Sequence, residues 1–324
     1  MKTGYLSKAS TTNLKGLLAI LVLIHHTYQK ALIGSSVSIF DFTMRSLGYY
    51  CVSCFLFLSG YGLMTRYLSG GGYSANFMKK RVLPIYVINV LLVVIYCVQK
   101  MLLLDGVEIG NVLRTITFGG NVVDNGWYLQ VILLFYIVFY FATKLTPKRV
   151  PLFCSTIVVI FVVVMIALKM PVHWYVSSLA YPCGILWSRY KIMIDGFIET
   201  HYRAVSTTAL IAFFVSYTML FLKPFEGGIY TLIMFSFSMT YGLLFAIVVL
   251  ILMMQVQLSG KALTYCSDCY LEIYVLQGLI FTTLRNNYWT VSNPYLFAFA
   301  SLILTVVVAK LVRPLFLRIN TMFK

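Results

Sequence analysis

Residues 14–30 read LKGLLAILVLIHHTYQK: an unbroken apolar run, Gly16–Ile24, with Lys15 at its mouth and two adjacent histidines, His25 and His26, deep inside it. At about 100° per residue, Lys15 and His26 are three turns apart, on one face and separated by roughly 16 Å along the axis. Ala19 and Val22 complete that stripe, and His25 points about 100° away from it. A lipid-facing helix has no use for a histidine. Ionisable groups within a membrane are costly and face a cavity or a partner, and imidazole takes up and returns a proton near neutral pH. The bland alternative is a histidine hydrogen-bonded between helices as packing glue. The shared face with Lys15 favours His26 as the residue turned into a polar cavity, with His25 as its neighbour.

The rest of the chain agrees with a membrane setting. Of 324 residues, 60% are hydrophobic and only 10% charged, far too little polar surface for a soluble protein of this length. A bilayer core of ~30 Å needs about 20 apolar residues per spanning helix. Ten spans are expected, near 14–33, 48–66, 82–103, 126–143, 151–168, 173–190, 204–222, 230–254, 269–285 and 295–317. The expected fold is an all-α bundle of about ten transmembrane helices in a single domain over residues 1–324. The wide eighth segment leaves room for a break. The polar start, Met1–Asn13, does not read as a cleavable signal.

The net charge of +16 raises nucleic acid as a partner, but in a membrane protein the distribution of Lys and Arg matters more than their sum. A cytoplasmic N-terminus puts 18 of the 25 basic residues on the inner side, among them Lys2, Lys8, Arg66, Lys79–Arg81, Lys191 and Lys324. The outer side keeps Lys30, Arg45, Lys100, Arg114, Lys169, Lys223 and Arg285. Both termini are therefore expected in the cytoplasm and no nucleic acid is expected. The cell (plasma or inner) membrane is the expected location. The outer loops, of which 34–47 and 104–125 are the longer, carry acids (Asp41, Asp105, Glu108, Asp124 and Glu226) and aromatics and suit a polar, uncharged or cationic partner such as a glycan. Basic inner loops, including 67–81 with its Ser-Gly-Gly-Gly turn at 69–72, suit anionic lipid headgroups or a phosphorylated ligand.

Five segments, in order, resemble the acyltransferase-3 superfamily of integral membrane O-acyltransferases. The opening helix carries a basic residue, ten residues and then His, as Lys15 and His26 do. CFLFLSGYGL at 54–63 is similar to the family's Phe-Phe-x-x-Ser-Gly-Tyr/Phe segment, and MKKRVLP at 78–84 to its basic-Arg-x-x-Pro entry to the third span. WYLQVILLFY at 127–136 resembles the Trp-x-Leu helix, and LEIYVLQG at 271–278 the late Glu-x-Tyr-Leu-x-His segment. The chain departs from the pattern at Ile132 and Leu133, where many members have a Glu pair, and at Gln277, which replaces the late His.

The resemblance implies acyl transfer, with acetyl the usual cargo, from cytosolic acyl-CoA to a hydroxyl of a surface or lipid-linked glycan. No bound cofactor is implied, because acyl-CoA is the donor substrate. His26 then serves as general base or as acyl carrier, with His25 beside it. Arg and Lys suit phosphates, so Lys15 and Arg81 are the donor-side candidates, whereas positive-inside anchoring alone accounts for Lys79 and Lys80. Trp127 and Tyr61 are acceptor-side candidates, although an aromatic belt places Trp127 equally well. His173, Trp174 and Tyr175 either stack on a sugar or belong to the same belt. Ser59 and Gly60 read first as small-residue helix packing, with a tunnel hydroxyl as the rival for Ser59. Glu272 is expected in a structural ion pair with Lys15 or Arg81. Two Cys-x-x-Cys pairs, Cys51/Cys54 and Cys266/Cys269, have zinc-like spacing. They are expected at opposite faces of the bundle as small apolar residues, so no metal is expected. The rival function is a transporter or flippase of a lipid-linked saccharide with the histidine pair as proton relay. Internal symmetry or paired broken helices would favour it, and neither is visible in the sequence.

Overall fold

A computed structural model describes residues 4–31, 38–70, 76–222 and 228–323. Lys2, Lys223, Glu226, Lys324 and, in the Gly-rich turn at 69–72, Gly71 and Gly72 lie outside the described residues. Among those described, the named elements are all helices: α1 Lys8–Ala31, α2 Ile39–Leu68, α3 Leu83–Leu103, α4 Ile109–Ile116, α5 Trp127–Leu145, α6 Val150–Ala167, α7 Ala180–Arg189, α8 Lys191–Thr200, α9 Tyr202–Leu222, α10 Gly228–Met253, α11 Lys261–Ser267, α12 Tyr270–Leu284 and α13 Pro294–Met322. One turn of π-helix, Met78–Val82, leads into α3, and a 3₁₀ turn, Val172–Trp174, precedes α7.

Seven of these helices are long and apolar enough to cross a membrane. They account for seven of the ten expected spans, and α10 runs without the break for which its segment left room. The other three differ for physical reasons. Although α1 has 24 residues, Lys15, the two histidines, Gln29 and Lys30 dilute its hydropathy; it packs against α2, α11, α12 and α13 and has little need of a lipid-facing surface. The ninth expected span, α12, has 15 residues and is buried along most of its length. The sixth is corrected most: its helical part is α7, ten residues beginning at Ala180, and residues 173–179 are a 3₁₀ turn and further turns.

The second span also starts nine residues earlier than expected, at Ile39, where the Ser38 hydroxyl caps the helix by accepting from the Asp41 amide. It is the hub of the bundle. In its most apolar 18-residue window, 83% of residues are buried, against 11% for α9 at the periphery. A methyl on Gly60 would fall 2.2 Å from the Tyr181 carbonyl oxygen, and one on Gly184 would fall 2.0 Å from that of Phe57. The two glycines therefore let α2 and α7 pack backbone to backbone. The outward faces of α3, α6, α9 and α13 expose Val98, Val163, Phe214 and Val307, an apolar surface suited to lipid.

At the end of the bundle where α1 begins, Tyr5 donates to Asp195 at 2.7 Å and accepts from the Trp187 indole at 2.9 Å, while Lys191 pairs with Asp195. Burial first, and Asp195 second, hold the Tyr5 phenol above its ordinary pKa, so it stays a donor.

Candidate active site

The site is built from α1. His25 is buried, and its Nδ1 lies 2.6 Å from the carbonyl oxygen of Met44 in α2. A carbonyl only accepts, so Nδ1 carries the proton and the tautomer is set. The edge of the ring lies against Gly48: a methyl there would come within 2.6 Å of Nε2. The His26 ring meets it edge-on, with centroids 4.6 Å apart. The two histidines therefore differ in role. His25 is clamped between α1 and α2, whereas half-buried His26 fronts a chamber of about 320 Å³ that Gln29 also lines.

The opposite wall of this chamber is the loop before α5, held by side chains from several helices. Gln130 accepts from the Gly119 amide and donates to the Gly120 carbonyl, each at 2.8 Å. Asn125 takes a left-handed conformation (φ 60°), which Asn tolerates better than most residues. Its carbonyl accepts from the Tyr274 hydroxyl at 2.8 Å. Asp124, also in the chamber wall, pairs with Lys100 at 2.9 Å. Trp127, the first residue of α5, lies in the same wall, 5.4 Å from the His173 ring. Aromatic faces beside carboxylate and amide groups are chemistry suited to a polyhydroxylated ligand.

A second, smaller chamber of about 90 Å³ lies further along α1 towards its start. Lys15 lines it, with Ser59, Tyr128, Tyr136 and Tyr270. The Lys15 ammonium sits 5.4 Å from the centre of the Tyr270 ring. The face predicted for α1 thus serves two chambers, Lys15 in one and His26 in the other, with Ala19 and Val22 fully buried. Ser59 and Gly60 divide the work: Gly60 makes the close packing with α7, and Ser59 lines the smaller chamber with Tyr128 and Tyr136.

The other candidates are placed less centrally. Arg81, exposed in the π-helical turn, lies in neither chamber wall but is within electrostatic range of Tyr136, as Lys15 is. Tyr61 is apart from both chambers. It is buried in α2 beside Thr65, its amide against Gly184 of α7, and lines neither chamber. Glu272 does form a structural pair, but with Arg313 of α13 at 3.9 Å instead of Lys15 or Arg81, because α12 and α13 are neighbours. The cysteine pairs are not at opposite faces: the early start of α2 puts Cys54 mid-helix, and the next residue, Phe55, stacks 6.2 Å from Tyr270. Even so, among the described residues no three His, Cys, Asp or Glu side chains converge as metal ligands.

Asp124 in the first chamber is legible from the sequence only as one of several outer acids, and Tyr274 there, with Tyr136 and Tyr270 in the second, carries no separate sequence signal. The available signals were weak: the turn chemistry at 124–126 and an aromatic content of 16%.

Apolar helices wrapped around two internal chambers, one fronted by histidine and one by lysine, define a multi-pass membrane protein with a buried polar site. A family model described as an acyltransferase domain matches residues 9–313. The chain belongs to that family, acyltransferase-3, which suggests acyltransferase activity. Comparison with the curated proteins and with the solved structures returned no significant match.

Proposed function

We propose that this protein moves an acyl group, acetyl in the first instance, from cytosolic acyl-CoA to a hydroxyl of an extracytoplasmic or lipid-linked glycan. The observation that carries the reading is the division of α1 between two chambers. Lys15 lines the smaller, which we assign to the donor, and His26 fronts the larger, which we assign to the acceptor. The Lys15 end then faces the cytoplasm, as the bias of basic residues suggests.

In the direct route, the His26 imidazole takes the proton of the acceptor hydroxyl as its oxygen attacks the thioester carbonyl. The C–O bond forms, the C–S bond breaks, and the imidazolium returns the proton to the departing thiolate. In the stepwise route, His26 nitrogen displaces the thiolate first and the acceptor hydroxyl then displaces the imidazole. His25 supports either route by fixing the ring against which His26 packs. Trp127 and His173 offer faces for a sugar, Asp124 a carboxylate for its hydroxyls, and Lys15 and Arg81 charge for the donor phosphates.

The test is His26→Ala assayed in membranes with acyl-labelled acetyl-CoA. Wild-type protein is expected to pass label to membrane glycan, and the variant to insert at the same level but transfer none. An active His26→Ala protein sinks the assignment. Movement of a lipid-linked saccharide coupled to protons, without thioester consumption, would establish the transporter instead.

A further inference from the structure

Among the described residues lining the two chambers, one is common to both: Tyr274 of α12. It is 4% exposed, and its ring meets that of Tyr128 at 5.4 Å with the planes at 66°. Tyr128 lines the smaller chamber and follows Trp127 of the larger in sequence. The side chain of Tyr274 therefore stands in the wall between them. Its hydroxyl reaches out of α12 to the Asn125 carbonyl, in the loop that Gln130 and the Asp124–Lys100 pair hold over the larger chamber.

We propose that Tyr274 is a partition between the chambers, kept shut by its hydrogen bond to Asn125. A ligand entering the larger chamber meets Asp124 and Asn125 directly, so displacement of this loop loosens the partition. The device rests on the acyl-transfer reading for its purpose: a wall that opens with the acceptor keeps water from the thioester until a hydroxyl is present. Tyr274 is a positioning residue under this proposal, since it gates the path between donor and acceptor without taking part in bond-making.

The experiment needs no catalysis, so it can fail while His26-dependent transfer stands, and the reverse. Ser59→Cys places a thiol in the smaller chamber alone. A membrane-impermeant sulfonatoethyl methanethiosulfonate is applied to the membrane face that bears the Trp127 loop, and peptide mass spectrometry scores modification at residue 59 separately from the seven native cysteines. Modification is expected to be slow in Ser59→Cys. Adding Tyr274→Phe, which keeps the ring and removes the tie, is expected to raise the rate about fivefold, the value of one net hydrogen bond. Adding Tyr274→Ala, which removes the ring, raises it further. Equal rates in all three proteins would overturn the partition. A rise with Tyr274→Ala but none with Tyr274→Phe would overturn the tie to Asn125. If Tyr274→Ala does not insert, the Tyr274→Phe comparison decides the matter alone.

Discussion

Gly48→Ala is the most discriminating perturbation of this site, because it adds one methyl group at a place where the consequence can be worked out. The new Cβ would lie 2.6 Å from His25 Nε2 and 2.7 Å from Cδ2, so the ring must move. The bond from Nδ1 to the Met44 carbonyl at 2.6 Å resists that movement, and His26 is already in ring contact on another side. Overpacking of this kind costs about 1–3 kcal/mol, and losing the hydrogen bond adds about 1 kcal/mol. The protein should still insert, but a shift of about 1 Å in a catalytic group costs on the order of a hundredfold in rate. Transfer from labelled acetyl-CoA should therefore fall about a hundredfold while membrane level and detergent-extracted monodispersity change little. Gly62→Ala on the same helix is the control: among the described residues nothing lies within 4 Å of its new methyl, and alanine gains up to about 1 kcal/mol of helix propensity there. Equal activity in the two variants would refute the idea that Gly48 seats His25 and, through it, His26.

Two further outcomes follow from named contacts. Lys15→Gln should raise the KM for acyl-CoA by roughly 10–100-fold, the worth of a hydrogen bond to a charged group, and leave the KM for acceptor unchanged; a change confined to the acceptor KM would misplace the donor chamber. Arg313→Met should lower thermal stability by leaving the buried Glu272 carboxylate unpaired. The cost should be less than the ~3–5 kcal/mol of a fully buried pair, since the Arg313 side chain is 28% exposed. Adding Glu272→Gln should recover most of the loss, and an unchanged melting temperature in Arg313→Met would show that the pair has no structural weight.

Much of the fold was legible because lipid imposes a simple rule: each span must be apolar for about 20 residues. The rule weakens where a helix is shielded by protein. Helix α1 is enclosed by its neighbours and tolerates polar residues, α12 is buried and short, and α7 needs only ten residues because α2 covers it. Composition also said little about where α2 begins, since residues 39–47 mix Asp41 and Arg45 with aromatics and read as loop. The Asp41–Arg45 pair at 2.8 Å, one turn apart, shows how that polar segment is accommodated in a helix.

The sequence by itself determined that the protein is a helical membrane bundle and that Lys15 and His26 share a face, because hydrophobic length and a period of 3.6 residues are local properties. Tertiary structure decided what surrounds that face. It separated His25 from His26 through Met44 and Gly48, buried Tyr61 in α2 beside Gly184 of α7, gave Glu272 to Arg313, and brought Asp124, Asn125 and Tyr274 to the chamber wall. Tyr274 and Asn125 are 149 residues apart in the chain. No helical period relates them, and only the packing of α12 beside the loop before α5 makes them neighbours.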